Sequence, residues 1–448
     1  MKKKAPVKEL EQLAEQLVAF GRKSGADEVE VMIGDDREFS LDVRLGRIEN
    51  LVEAGSRAVT LKVIRDKKTA FAASSDLSRK TLNRLAKNAV ARAELANRDE
   101  CAGLPSVFAE NTDAASLKMF DPEIAELDPD KKIRLALETE RIALQDKRIT
   151  NSHGASLVTH EGLTVLANSK GFVGSYEQTF CSLSLGLQAG ETDSKVEDYW
   201  FSTERFFKKL EPPELVARQA VERTVRLLNP RKIKTQPVPV IFEPQMTAWL
   251  LGFLFACVSG TAVYQKATFL AGRLGTRVGN RRVTVMDDCL IPGRLGTRPF
   301  DTEGVACRKT TVLDKGILRQ YLCDTYAGRK LRLPSTGNAD GAGVGPNNFF
   351  LVPGSLSPQE IIASTERGFI LTRTIGHGLN PATGDISRGA FGLWVEKGEV
   401  VYPVAEVTVS GNLEGILKNI EAVGNDLDFR TAVCGPTIKI AELVVAGQ

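Results

Sequence analysis

The chain has 448 residues, and a usual domain size of about 100–200 residues predicts two or three domains. With 42% hydrophobic and 26% charged residues, its composition is that of an ordinary globular protein. Its 59 basic and 56 acidic residues nearly cancel to a net charge of +3, so there is no basic footprint for nucleic acid. The opening Met1-Lys2-Lys3-Lys4 lacks a following apolar segment and does not read as a secretory signal. The most apolar run, Ala248 to Val258, is far shorter than the ~20 residues needed to span a bilayer, which argues against a membrane partner. Seven cysteines without paired spacing predict reduced thiols in a cytoplasmic protein.

In chain order, residues 6–22 predict an amphipathic helix with Leu10, Leu13 and Leu17 on one stripe, ended by Gly25. Alternation follows in three short runs: Val29 to Ile33, Phe39 to Val43 and Val59 to Val63. Such period-two patterning predicts antiparallel strands with one face buried. A second helix spans roughly 76–97, with Asp76 or Ser78 as its cap. A third starts after Asp128-Pro129, strands return at about 155–188, and a fourth helix runs from Pro212-Pro213 to just before Asn229-Pro230. The polar, proline-marked stretch from Asn229 to Gln236 reads as a linker.

Beyond it, Val238 to Phe242 predicts a strand that leads into the apolar helix Pro244 to Cys257. Short strands then alternate with glycine turns, including hairpins at Asp314-Lys315-Gly316 and Lys397-Gly398. Strands and helices without regular βαβ alternation predict an α+β fold. Its two domains would be a mixed helix and antiparallel-sheet domain over 1–230 and a β-rich domain over 236–448 built around the apolar helix.

Few residues suggest chemistry. No G-x-S-x-G elbow occurs, and no cysteine has a histidine in a motif suggesting a dyad. Gly341-Ala342-Gly343-Val344-Gly345 lacks the strand and helix that a dinucleotide fingerprint requires, so it reads as a loop. Of the three histidines, His153 and His160 lie in strands with no second ligand at helical spacing, while His377 sits between Gly376 and Gly378. A glycine-rich loop of that kind lets backbone approach a ligand, or is simply a turn between strands. Asp385 and Arg388 are candidates for an ion pair shaping it, and Gly378→Val is expected to impair function at modest stability cost. The apolar helix is either core or an interface, with Trp249 and Phe253 as a candidate anchor pair.

Several motifs occur in one order: Asp287 to Gly304, Ile375 to Ala390, Gly411-Asn412-Leu413, and Asn419 to Asp426. Together with the apolar helix they resemble the TldD/PmbA family, long called modulators of DNA gyrase, over almost the whole chain. That resemblance implies a zinc-bearing protease subunit paired with a metal-free one. In the zinc-bearing branch the helix carries His-Glu-x-x-x-His; the matching positions here are Gly252, Phe253 and Cys257. Both histidines and the general-base glutamate are missing, so the chain looks like the zinc-free branch.

By resemblance, this chain would carry no catalytic residue and no metal of its own. Zinc would sit in a partner, either a zinc-bearing homologue or, for a self-dimer, nowhere. Peptides or unfolded polypeptides would be the substrates, with the loop of Gly376, His377, Gly378, Asp385 and Arg388 near the cleft. An extended peptide could add as a strand to an exposed sheet edge. Two other classes remain open: a stand-alone regulatory or peptide-binding protein, and a peptidase in its own right using Cys257, His377 and Cys434.

Overall fold

The computed structural model describes residues 6–110, 114–191, 195–341 and 343–447. The opening Met1–Lys4 and Ala342 of the glycine-rich loop lie outside the described residues.

The first half is built on four very long strands, of 17 to 20 residues each. β1 (Glu28–Arg44) and β2 (Arg47–Arg65) form a hairpin, β3 (Lys68–Ser74) follows, and β4 (Ile149–Asn168), β5 (Val173–Ala189) and β6 (Val196–Glu204) complete the sheet. Its order is β3-β2-β1-β4-β5-β6, antiparallel throughout. The two short runs expected at Val29–Ile33 and Phe39–Val43 are one continuous strand. Apolar alternation breaks between them because Asp35 and Arg37 occupy the inward positions, while the backbone pairing runs on.

Helices cover one face of this sheet at its two ends. α1 (Val7–Lys23) and α2 (Arg79–Leu95) pack Leu10, Leu17, Leu82 and Val90 onto Val29, Ile33 and Leu61. Ser78 caps α2 through the Thr81 N–H at 3.4 Å, and the Asp76 side chain accepts from the Ser78 N–H. The short α3 (Pro122–Ala125) precedes α4 (Pro129–Ala143), which together with α5 (Pro213–Val225) covers Leu41, Val43, Leu157 and Leu185. Between the two helix pairs the middle of the sheet is left open.

The second half starts with β7 (Gln236–Phe242), α6 (Pro244–Val258) and α7 (Gly260–Tyr264), then β8 (Val285–Asp288), β9 (Lys309–Asp314), β10 (Ile317–Leu318) and α8 (Thr325–Leu331). Next come β11 (Ala339–Asp340), β12 (Gly343–Val344), β13 (Phe349–Leu351), α9 (Pro358–Ala363), β14 (Arg367–Ile375), β15 (Leu379–Asn380), β16 (Asp385–Glu396) and β17 (Glu399–Asn412). The chain ends with α10 (Leu413–Lys418), β18 (Ile420–Val423), β19 (Val433–Cys434) and β20 (Ile438–Ala446).

The strands β14-β7-β20-β17-β16 form a ring, which closes because β16 also pairs with β14. A second sheet, β10-β9-β8-β13-β19, lies across from it, and α6 packs against β19, β13, β14 and β7. Both predicted hairpin turns carry left-handed Lys–Gly pairs, Lys315–Gly316 and Lys397–Gly398, as a type I′ turn requires. The fold is α+β, with a β-rich second half.

The predicted linker is tethered rather than loose. Arg231 N–H donates to Pro403 O at 2.8 Å and its guanidinium stacks over Tyr402, while Lys232 pairs with Glu406 at 2.7 Å. The halves also share a core, since Ile241, Ile370, Leu393 and Val395 of the ring pack with α4 and α5. Arg205, at the end of β6, donates to the carbonyls of Arg294 at 2.8 Å and Leu295 at 2.7 Å.

A further contact buries acids at the junction. Lys62 lies 3.8 Å from Glu30 and 3.6 Å from Glu303, with Asp301 and Asp324 close by. Burial pushes the Glu30 carboxyl up to about 7 against the pull of Lys62, and burial with the nearby Glu303 charge does the same to Asp301. Their ordinary values are 4.5 and 3.8, so the folded chain holds these protons where the unfolded chain has released them. Stability contributed here is present at low pH and is lost as pH rises toward about 7. The thermal midpoint is therefore expected to fall between about pH 5 and about pH 7.5, and Glu30→Gln to flatten that fall and raise the midpoint at the upper pH. Calorimetry in which Glu30→Gln leaves the pH slope untouched would contradict this account.

Candidate functional site

The apolar composition of α6 matches its position between the strand ring and the second sheet. Leu250, Leu251, Leu254 and Val258 are buried among Val240, Phe242, Phe349 and Leu371. Phe253 and Cys257, four residues apart and hence on one helix face, join the same core. The structure thus assigns Phe253 to core rather than to an interface. Gly252 lies on the other side, where a Cβ would meet only open space, and Ala256 beside it is exposed.

These three positions do not form a donor set for zinc. A catalytic zinc needs three protein ligands drawn from His, Cys, Asp or Glu. Gly252 and Phe253 offer none. Burial pushes the Cys257 thiol up to about 11, which keeps the proton on sulfur, although a hydrogen bond involving Thr268 pulls slightly the other way. Cys434 donates to Thr431 O at 2.8 Å and is also raised by burial. His377 is exposed on its loop. Among the described residues no group of three His, Cys, Asp or Glu is arranged to hold a metal, so Cys257, His377 and Cys434 are not brought together. His153 and His160 sit on the N-terminal sheet, each 3.2 Å from a carboxylate, Glu197 and Asp36 respectively.

The loop around His377 does meet α6, but through Arg388. Gly376 to Gly378 link β14 to β15, which forms a miniature hairpin with β16. Arg388, on β16, places its guanidinium 5.2 Å from the ring centre of Trp249 and donates to Ile375 O at 3.4 Å. Both side chains close a small cavity at the mouth of the strand ring, together with Phe242, Leu371, Ile386 and Val409.

The expected Asp385–Arg388 ion pair is absent. Residues three apart on a strand point to opposite faces, and Asp385 instead accepts from Thr383 Oγ1 at 2.6 Å and Asn412 Nδ2 at 3.0 Å. Those two bonds hold its carboxyl below the usual range. The positive φ in this loop belongs to Gly376, whereas Gly378 lies flat against β16 and its carbonyl accepts a 2.9 Å bond from the Ser387 N–H. A Cβ on Gly378 would overlap the Ser387 carbonyl, so the modest stability cost expected from sequence is corrected upward.

Two arrangements escaped sequence reasoning. Asp287 is fully buried and accepts from the Asn347 N–H at 2.9 Å and from the side chains of Asn338 and Asn347 at 2.8 Å each. Burial still leaves its carboxyl raised. Arg298 adds a 2.8 Å bond to Asn347, so this motif stitches loops together rather than presenting groups to a ligand. The other is the open middle of the N-terminal sheet, where Arg57 pairs with Asp35 at 2.6 Å and Arg37 with Glu161 at 3.9 Å. Its signal in the sequence was the pair of charged residues at inward positions of β1.

A six-stranded antiparallel sheet docked onto a closed strand ring with a central apolar helix is the architecture of a known group of metallopeptidases. The family model for the PmbA/TldA metallopeptidase C-terminal domain matches residues 235–447, the central-domain model residues 122–228 and the domain 1 model residues 29–93. The chain belongs to the PmbA/TldD metallopeptidase family.

It is 36% identical to Metalloprotease PmbA of Escherichia coli O157:H7, over 96% of this chain and 94% of that protein. A PmbA homologue from Haemophilus influenzae is 35% identical over 99% of this chain and 98% of its own length. Among solved structures, a protein from Bacteroides thetaiotaomicron described as a modulator of DNA gyrase superimposes with a TM-score of 0.91 at 26% identity, covering 98% and 99% of the two chains. TldE from Thermococcus kodakarensis shares the fold, with a TM-score of 0.88 at 23% identity over 97% and 100% of the two chains.

Gly378→Val is expected to lower stability by about 2–3 kcal/mol, since backbone must move to admit the side chain. His377→Ala, on an exposed loop, should stay within about 0.5 kcal/mol of the parent. Chemical denaturation of the two variants side by side checks this, and equal effects would contradict the packing described.

Proposed function

We propose that this chain is the zinc-free, non-catalytic subunit of a PmbA/TldD-type peptidase that acts on peptides or unfolded polypeptides. The observation that supports this reading is the face of α6 at Phe253 and Cys257. In a metallopeptidase family that face would need ligands and a base, and here it is packed as core. On this reading the zinc belongs to a homologous partner, and this chain supplies walls and substrate-binding backbone in a cytoplasmic dimer. The loop at Gly376, His377 and Gly378, with Arg388 over Trp249, would border the peptide path. No helix among the described residues is long and apolar enough to cross a membrane.

The purified chain is expected to contain no stoichiometric zinc and to hydrolyse no peptide alone. Mixed with a zinc-bearing homologue, it should form a dimer through its second domain and restore peptide cleavage. Metal analysis, sedimentation and a cleavage assay on the same samples test the reading. About one zinc per chain, lost on substituting Cys257 or Cys434, would make the chain a peptidase in its own right. A chain that stays monomeric and leaves the homologue's activity unchanged would instead be a stand-alone binding or regulatory protein.

A further inference from the structure

The hairpin of β1 and β2 reaches far beyond the strand that covers it. β3 pairs with β2 only from Val59 to Arg65. From Arg47 to Ala58, β2 is hydrogen-bonded to β1 on one side and, among the described residues, has no strand on the other. This edge carries no proline and no lysine, and its charges are two arginines, Arg47 and Arg57, near its ends and two glutamates, Glu49 and Glu53, between them. Ile48, Leu51 and Val52 stand on it 47%, 45% and 43% exposed.

The same edge forms one side of a groove of about 900 Å³ over the open middle of the sheet. The segment leading into α2, Ser75 to Ser78, and Ile124, Ala125 and Lys132 from α3 and α4 bound it. Six carboxylates line the groove against three cations. One cation, Arg57, is engaged by Asp35, and another, Lys132, donates to Thr159 at 2.9 Å and lies 4.4 Å over the Phe39 ring. Glu53 projects from the edge strand itself, opposite Phe39 in the register, and Asp76 stands at the entrance.

We propose that this edge and groove form a binding site for an extended polypeptide with basic side chains, added as a strand beside Arg47–Ala58. Main-chain bonds to the unpaired edge would supply sequence-independent affinity, and alternate side chains would enter the groove, where Glu53 and Asp76 favour lysine or arginine. A second copy of this chain fits less well. Symmetric antiparallel pairing about Val52 would set Arg47 opposite Arg57 and bring two acid-rich grooves alongside each other. The proposal rests on the reading that the chain handles polypeptides, but it concerns binding by this chain alone and needs neither zinc nor a partner.

The test uses the full chain and two labelled peptides of alternating valine and either lysine or glutamate, followed by fluorescence anisotropy. The lysine peptide should bind and the glutamate peptide should not. Glu53→Lys, an exposed change that leaves the fold intact, should weaken the lysine peptide by about tenfold or more. Leu51→Pro and Val52→Pro probe adjacent N–H groups, only one of which points outward. The outward one should abolish binding with an unchanged thermal midpoint.

Failure of the lysine peptide to bind, or binding that ignores both Glu53→Lys and the proline variants, would overturn the site. So would a dimer that the proline variants split while peptide binding persists, since the edge would then pair two copies. Loss of cleavage in a reconstituted complex with peptide binding intact would count against the subunit reading and leave the site standing.

Discussion

Glu243 is the residue on which the arrangement of the two halves turns. It stands between β7 and α6, and both of its carboxylate oxygens are taken by Arg226 of the first half, at 2.6 and 2.9 Å. Arg223 adds a 3.0 Å bond and reaches Asp198 on β6 at 3.1 Å. Burial by itself would raise the Glu243 carboxyl, yet the two guanidinium groups outweigh it and hold the group ionised. An assembly of this kind is worth little over an apolar replacement, but losing one member costs about 3–5 kcal/mol by stranding the others. Its role is thus positional: α6 can start only where Glu243 meets α5.

That anchor explains how an almost wholly apolar helix keeps one orientation. α6 has no strong polar face to distinguish its sides, so packing alone would tolerate rotation. With its first turn tied to α5 and Arg388 seated on Trp249, Phe253 and Cys257 are turned into the core and Gly252 outward. A buried phenylalanine side chain contributes roughly 1.5–3 kcal/mol. A carboxylate at the same point would be buried without a metal or cation to receive it, at a cost of several kcal/mol. The helix register therefore serves stability at the positions where the resemblance implies that zinc-bearing relatives place chemistry.

Much of the fold was legible because it rests on local periodicity. The helices at 6–22 and after Asp128, the hairpins at Lys315-Gly316 and Lys397-Gly398, and the mixed α+β class all follow from spacing and turn chemistry. Closure of the strand ring was not legible, because β14 meets both β7 and β16 through pairings far apart in sequence. The site was read less well for a related reason. Asp385 and Arg388 are neighbours in sequence but face apart on the strand, and Gly378 needs its missing side chain for strand contact rather than for a positive φ. The motif from Asp287 to Gly304 carried the resemblance without revealing its role, and its buried carboxylate spends its bonds on internal asparagines.

The break at Asp35 and Arg37 carries the most instruction. Inward positions on a long strand are apolar only where something covers them. On β1 the cover is α1 and α2 at one end and α4 and α5 at the other, with solvent between. Charged residues at those inward positions keep the two helix layers from merging into one core, since each would need desolvation without compensation from a helix. The pairs Asp35–Arg57 and Arg37–Glu161 satisfy the floor in place of helix side chains. A strand edge that is long, partly apolar and unpaired is a hazard for self-association, which proteins usually suppress with short strands or blocking residues. Here the edge is kept open beside a hydrated, acid-rich floor, so an incoming strand finds main-chain partners on one side and charge on the other.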